Sequence, residues 1–277
     1  MPVLCRRPVT TLAHDLLTAP DASPDRWVLF CHGILGRGSN WRGFARRLLA
    51  ERPEYGVMLV DLRAHGRSRS VPPPDSLEAT ARDLIPLLDE RDVTAVVGHS
   101  FGGKVALELS RERAIDQLFV LDSMPGARPE HRGSASTMRV VKMLGTLPAH
   151  FIDRAAFHRY VQDLGFSKSL AQWLGQNLDA LDDGYELGLD VGRIEALLAS
   201  FFDRDLWPVL DPPRGTMTAH LVIAGKSTVY APEDRARAWD LAARTERVRV
   251  HLLDEADHWL HVDDPDGLLN ILTEALS

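Results

Sequence analysis

Short apolar runs alternate with helical patterns along most of the chain. Runs without polar interruption are typical of parallel strands that are covered on both faces. Five such runs, followed by a sixth that alternates apolar and polar residues, are Trp27–Cys31, Val57–Val60, Val93–Val97, Leu118–Leu121, Leu221–Ala224 and Val248–Leu253. Apolar residues between the runs recur at helical spacing, as from Trp41 to Leu49. This order predicts an α/β fold with a doubly wound, mostly parallel sheet.

The stretch from Pro125 to Met217 interrupts the alternation. It contains no run that predicts a strand. Its four helical patterns lie within Met138–Leu144, Phe157–Leu164, Leu170–Leu178 and Ile194–Phe202. We interpret residues 125–217 as a helical cap inserted between two strands, with residues 1–124 and 218–277 forming the α/β core. Most apolar residues of the cap are expected to form its own core, and a minority to line a substrate pocket.

Composition is that of an ordinary globular enzyme. The 277 residues are 45% hydrophobic and 26% charged, and the net charge of −7 comes from mixed signs, so a nucleic-acid partner is not indicated. The two cysteines, Cys5 and Cys31, do not imply a disulfide framework, and Cys31 is expected to be a buried thiol. No apolar stretch approaches the roughly 20 residues of a membrane span. With no apolar signal core near the N-terminus, the predicted location is the cytoplasm.

A serine between two glycines follows the third apolar run directly. Residues Gly98–Gly102 read Gly-His-Ser-Phe-Gly, and a helical pattern begins immediately after them. In a sharp strand-to-helix turn the flanking positions have no room for side chains, which is why glycine occupies them. The serine is then held outward at the head of a helix, where free N–H groups favour a developing negative charge. The pattern predicts a nucleophile elbow with Ser100 as the nucleophile.

Further motifs give the chain its family resemblance. They are His32–Gly36 (His-Gly-Ile-Leu-Gly), Asp61–Ser68 (Asp-Leu-Arg-Ala-His-Gly-Arg-Ser), the elbow and Asp257–His261 (Asp-His-Trp-Leu-His). In this order and at these separations they resemble the α/β-hydrolase fold superfamily. The Gly-Gly-Lys after the elbow and the His-Trp near the end are most similar to the YbfF-type bacterial esterases. The resemblance covers about residues 26–123 and 219–276 and leaves the cap out.

The resemblance implies roles for further residues. His258 would be the base that takes the proton from Ser100, because it follows the last strand by a short loop. The oxyanion hole would use the backbone N–H groups of Phe101 and Ile34. Substrate-pocket candidates are Leu35, Trp173 and Phe201.

The triad acid has more than one candidate. Many members of the family carry an aspartate just after the strand that follows the cap, but here that position reads Gly225–Tyr230 without a carboxylate. Asp122 closes the strand before the cap, and some members, the YbfF-type among them, place the acid there. We therefore expect Asp122 to be the acid, with Asp234 and Glu233 as the fallback.

Together these features predict a serine hydrolase acting on a small-molecule carboxylic ester. The alternatives are an acyl thioesterase, a carbon–carbon bond hydrolase or lyase with the same triad, and a low-turnover ligand-binding protein on the same fold. No cofactor and no metal are expected, because no cluster has zinc-ligand spacing and no glycine-rich segment fits a phosphate or dinucleotide fingerprint. No pattern predicts an oligomeric state.

Overall fold

The computed structural model describes residues 12–128 and 135–277. Cys5 and the first eleven residues of the predicted core therefore lie outside the described residues. The described strands are β1 (His14–Thr18), β2 (Arg26–Cys31), β3 (Tyr55–Val60), β4 (Asp92–His99), β5 (Gln117–Leu121), β6 (Leu178–Leu181), β7 (Gly184–Leu187), β8 (Thr218–Ala224) and β9 (Val248–Leu253). The described α-helices are α1 (Arg42–Glu51), α2 (Leu77–Glu90), α3 (Phe101–Glu112), α4 (Ala135–Leu144), α5 (Arg154–Asp163), α6 (Lys168–Leu174), α7 (Val191–Asp203), α8 (Pro232–Arg244), α9 (Leu260–Asp263) and α10 (Pro265–Ala275).

Seven of these strands form one sheet in the order β1-β3-β2-β4-β5-β8-β9. Only β1 runs antiparallel to its neighbour, and all other pairs are parallel, so the predicted mostly parallel α/β sheet is confirmed. All six predicted runs are strands of this sheet. The carboxyl ends of its parallel strands meet at one edge, which is where open α/β sheets bind ligands.

Side chains alternate between two apolar layers on the faces of the sheet. Val96 of β4 belongs to the layer under α2 and α3, whereas Val97 belongs to the layer under α1 and α10. Because β4 is buried on both faces, it shows the unbroken apolar pattern from which it was predicted.

A long segment connects β5 to β8, which are neighbouring parallel strands of the sheet. The four predicted helices are present as α4, α5, α6 and α7. The expectation that this segment contains no strand is wrong, because β6 and β7 form an antiparallel hairpin. Leu178, expected in the third helix, is the first residue of β6. The loop residues Asp182 and Asp183, followed by Gly184, supply a tight two-residue turn that joins these short strands.

Candidate active site

Ser100 occupies a sharp turn between β4 and α3. Its backbone has φ 53° and ψ −116°, a strained conformation for a residue with a side chain. A Cβ atom on Gly98 would lie 2.2 Å from the carbonyl oxygen of Gly102, and one on Gly102 would lie 2.4 Å from that of Cys31. Both glycines are therefore required by close backbone approach. The Ser100 N–H donates to the Leu121 carbonyl at 3.0 Å and ties the turn to β5.

Asp122 and His258 lie within hydrogen-bond distance of each other at the same edge of the sheet. Asp122 directly follows β5, is 0% exposed, and its Oδ2 lies 2.7 Å from His258 Nδ1. The carboxylate also accepts hydrogen bonds from Ser227 Oγ at 2.6 Å and from the Ala224 N–H at 3.3 Å. Because three donors converge on the carboxylate, it is held facing the imidazole ring. With its proton on Nδ1, donated to the carboxylate, the His258 ring has Nε2 as its free acceptor.

The other acidic candidates lie elsewhere. Asp234 is in the first turn of α8, where its Oδ2 accepts the Ala231 N–H at 3.1 Å. Glu233 lies in the same turn, where the positive end of the helix dipole stabilises acidic side chains. Asp257 accepts the backbone N–H of His258 at 2.7 Å. The structure thus brings Asp122, and not Asp234 or Asp257, to the imidazole.

Ser100 Oγ and His258 Nε2 make no hydrogen bond with any of residues 12–128 and 135–277. A different contact connects the two segments: His99 Nε2 lies 2.7 Å from the His258 carbonyl oxygen. Since only an N–H can serve that oxygen, His99 is the donor. Burial and the neighbouring His258 and His261 lower the pKa of His99 well below its usual value. A neutral His99 thus holds the backbone of His258 beside the nucleophile turn.

The loop after β2 passes directly beside Ser100. A Cβ atom on Gly33 would lie 3.4 Å from Ser100 Cβ. The Leu35 N–H donates to His65 Nε2 at 3.0 Å, and the Gly36 N–H donates to the Gly33 carbonyl at 3.0 Å. The Ile34 N–H has no acceptor among the described residues. The Ile34 N–H is therefore available to a ligand.

Phe101 supplies a second available N–H. As the first residue of α3 it has no intrahelical acceptor for its N–H, and no other described residue accepts it. The positive end of the helix dipole lies at the same point. An oxyanion held between two such groups would be stabilised without reorganisation of the protein.

Buried neutral histidines support the Ile34 loop from below. Burial lowers the pKa of His65 to about 3 and that of His32 to about 4. Each ring accepts a backbone N–H at Nε2, from Leu35 to His65 and from Leu62 to His32, at 3.0 Å. Each Nδ1–H donates to a carbonyl oxygen at 2.8 Å. The rings work as fixed bridges between the loops after β2 and β3.

The three pocket candidates lie in different surroundings. Leu35 is buried, and its carbonyl oxygen accepts a hydrogen bond from Asn177 Nδ2 at 2.8 Å. Trp173 of α6 packs edge-on against Trp259 at 4.8 Å and lines a cavity of about 590 Å³. Neither Ser100 nor His258 lines that cavity. Phe201 of α7 is buried with its ring centroid 6.0 Å from that of Phe101.

Two contributors to the site escaped sequence reasoning. Ser227 donates to Asp122, and the signal for it was a polar side chain at the carboxyl end of β8, in the stretch that lacks a carboxylate. Lys104 is fully buried in α3, and its signal was a lysine next to apolar residues near the start of that helix. Within the described residues, no group of three or more His, Cys, Asp or Glu side chains is arranged to hold a metal ion.

Comparison with known proteins decides the family. The model of the "Alpha/beta hydrolase family" matches residues 28–271, which is most of the chain. The chain belongs to the alpha/beta hydrolase family. The predicted resemblance is thereby confirmed, and the order of strands and helices agrees with the family's fold.

This alpha/beta hydrolase has full-length relatives of low identity. It is 27% identical over 274 residues to the mouse sn-1-specific diacylglycerol lipase ABHD11, covering 96% of this chain and 85% of that protein. It is 25% identical over 279 residues to esterase YbfF of Escherichia coli, covering 94% and 96% of the two chains. The structure of a marine microorganism esterase superimposes with a TM-score of 0.78 at 22% identity, covering 95% of this chain and 98% of that one. No helix among the described residues is long and apolar enough to cross a membrane.

Proposed function

We propose that this alpha/beta hydrolase cleaves carboxylic esters, with Ser100 as nucleophile, His258 as base and Asp122 as the acid that orients it. The observation that carries the proposal is the fully buried Asp122 carboxylate 2.7 Å from His258 Nδ1. It lies at the sheet edge at which the strained β4–α3 turn holds Ser100. The names of two relatives, a lipase and an esterase, support an ester as the substrate class.

Acylation begins when His258 Nε2 removes the proton from Ser100 Oγ while this oxygen attacks the ester carbonyl carbon. Asp122 keeps the second ring proton on Nδ1 and stabilises the imidazolium that forms. The imidazolium then gives its proton to the alkoxy oxygen as the carbon–oxygen bond breaks, so the alcohol leaves neutral and the acyl group stays on Ser100. The Ser100–His258 hydrogen bond that this step needs would form with substrate bound, since such bonds often tighten only in the complex.

Deacylation repeats the sequence with water. His258 Nε2 takes one proton from the water as the water oxygen attacks the acyl carbon. Ser100 Oγ recovers that proton when its bond to the acyl carbon breaks. In both steps the N–H groups of Ile34 and Phe101 hold the negative carbonyl oxygen of the tetrahedral intermediate. Loss of one such donor typically costs about a hundred- to a thousand-fold in kcat.

Residues 125–217 are, in this proposal, a cap that shapes the acyl pocket over residues 1–124 and 218–277. Support comes from the insertion of this segment between neighbouring strands and from the contact of Phe201 with Phe101. Leu35 and Trp173 are the further pocket residues of the proposal. The cytoplasm is its proposed location.

Graded substrates test the proposal. Purified protein and its Ser100→Ala variant are assayed with p-nitrophenyl esters from acetate to dodecanoate and with acyl-CoA thioesters of the same lengths. We expect hydrolysis of the esters with a higher kcat/KM than of the thioesters, and nearly complete loss in Ser100→Ala. A preference for the thioesters would make the enzyme a thioesterase, and equal activity in the serine variant would remove the proposal.

A further inference from the structure

A lysine that the catalytic scheme does not use is buried between the nucleophile helix and the cap. Lys104 is the fourth residue of α3, one turn after Phe101, and is 0% exposed. Residues three apart on a helix share a face, so Lys104 and Phe101 face the same neighbour. Phe201 of α7 is that neighbour, since its ring lies 4.5 Å from Lys104 Nζ and 6.0 Å from the ring of Phe101.

The ammonium of Lys104 has all three of its donors engaged by backbone carbonyl oxygens. Nζ donates to Gly126 O at 2.7 Å, Phe201 O at 2.7 Å and Arg204 O at 2.8 Å. Phe201 lies in the last turn of α7, and Arg204 is the C-cap residue of that helix. Two of the three acceptors are therefore carbonyl groups at a helix C-terminus, which lack partners within the helix. A cation at this end also meets the negative pole of the helix dipole.

Packing alone does not explain a lysine at this position. Burying an ammonium carries a desolvation cost that an apolar side chain of similar length would not have. That cost appears in the pKa of Lys104, which burial lowers to about 7. The three short hydrogen bonds and the aromatic face of Phe201 offset it. All of these contacts except the bond to Gly126 depend on the position of α7.

The same end of α7 is bound to α3 through a second residue. Glu108 lies one turn beyond Lys104 on α3 and is also buried. Its carboxylate accepts two hydrogen bonds from the Arg204 guanidinium, at 2.9 and 2.8 Å. The backbone and the side chain of Arg204 therefore both bind the nucleophile helix. A bidentate pair of a guanidinium and a carboxylate fixes the relative orientation of the two groups as well as their distance.

We infer that Lys104 is a positioning residue whose ammonium holds the C-terminal turn of α7, and with it Phe201, against the nucleophile helix and so selects which acyl groups the enzyme accepts. The inference rests on the proposed function, because it treats Phe201 as part of the acyl pocket. A shift of α7 moves the Phe201 ring, which changes the room for a long acyl chain. An acetyl group extends less far from Ser100 than a long acyl chain, so its hydrolysis should depend less on the position of the ring.

The test replaces Lys104 by methionine, which keeps the length and loses the donors. Lys142→Met is the matched control, because Lys142 is an exposed lysine of the inserted segment, on α4. The measured quantities are kcat/KM for p-nitrophenyl acetate and octanoate and the hydrogen exchange of the α7 amides. In Lys104→Met we expect the octanoate-to-acetate ratio to change about ten-fold or more, as for the loss of hydrogen bonds to a charged group. Exchange in the last turns of α7 should accelerate by a similar factor, and both should stay unchanged in Lys142→Met.

Two results would overturn the inference. One is an equal loss for both esters, and the other is α7 exchange identical to that of wild type. If Lys104→Met does not fold, Lys104→Arg decides, because a planar guanidinium cannot direct three donors from one nitrogen to three carbonyls. Its ester ratio should change in the same direction, and an unchanged ratio would count against the inference. Absence of esterase activity in wild type would refute the proposed function, while hydrogen exchange would still decide the role of Lys104.

Discussion

Replacing Asp122 by asparagine gives the sharpest prediction about the contact between Asp122 and His258. The Ala224 N–H has a fixed direction and needs an acceptor, whereas the Ser227 hydroxyl can rotate to accept instead of donate. The asparagine therefore keeps its oxygen toward Ala224 and turns its NH₂ toward Ser227 and His258. An N–H donor facing Nδ1 forces the ring proton onto Nε2, and His258 then has no lone pair with which to accept the Ser100 proton.

The size of the loss follows from the lost charge and the wrong tautomer together. Opposite unit charges about 4 Å apart, at the effective dielectric of about 20 near a protein surface, attract by about 4 kcal/mol. This attraction exists only when His258 is protonated, so its loss raises the barrier by about three powers of ten in rate. The tautomer adds to this, and we expect kcat to fall about ten-thousand-fold, as for the same change in other triads.

The assay is kcat with a p-nitrophenyl ester on folded, purified protein. Asp234→Asn is the control, since that carboxylate caps the start of α8 and should change kcat by less than about three-fold. Circular dichroism and thermal unfolding of both variants check that the fold is kept. A larger loss in Asp234→Asn than in Asp122→Asn would refute the assignment of the acid.

Four further substitutions test the hydrogen bond to Asp122, the acyl pocket and the effect of a buried histidine on stability. Ser227→Ala removes one hydrogen bond to the Asp122 carboxylate and should lower kcat about ten-fold, and an unchanged kcat would show that the hydroxyl is dispensable. At least one of the variants Trp173→Ala and Phe201→Ala should show an altered acyl-chain preference. If both variants fold and keep the wild-type preference for acyl-chain length, the two residues contribute only to packing. Burial lowers the pKa of His65 from its ordinary 6.5 to about 3, so the stability that the neutral ring contributes is present above pH 6.5 and is lost as the pH falls toward 3. Between pH 8 and 5 this histidine alone should remove about 2 kcal/mol from the free energy of unfolding, measured with urea, and a His65→Gln variant should lose about 2 kcal/mol less. An equal loss in both proteins would contradict this.

Local patterns predicted the fold well because its central strands are covered on both faces. The edge strand β1 was missed, since His14–Thr18 is half-exposed and mixes polar with apolar residues. The hairpin of β6 and β7 was missed for a related reason: its four-residue strands are partly exposed and show no periodicity. Short, exposed strands depend on their partners for stability, and a linear pattern does not reveal partners.

For the candidate site, sequence reasoning was effective for residues within motifs and ineffective for contacts between them. Ser100 was found because a tight turn requires glycine on both sides of it. The contact of Asp122 with His258 was expected from the family resemblance, but the hydrogen bond from the Ser227 hydroxyl to that carboxylate was not. The bonds from Lys104 to α7 join residues about a hundred positions apart, so only the folded structure reveals them.

The central claim is that Ser100 is a nucleophile activated by His258 and Asp122. Its most direct test is reaction with a fluorophosphonate probe, followed by intact mass and peptide mapping, in wild type, Ser100→Ala and His258→Ala. We expect one adduct per chain on Ser100 in wild type, none in Ser100→Ala, and labelling slowed by several orders of magnitude in His258→Ala. Labelling at another residue, or at Ser100 with an equal rate when His258 is absent, would contradict it.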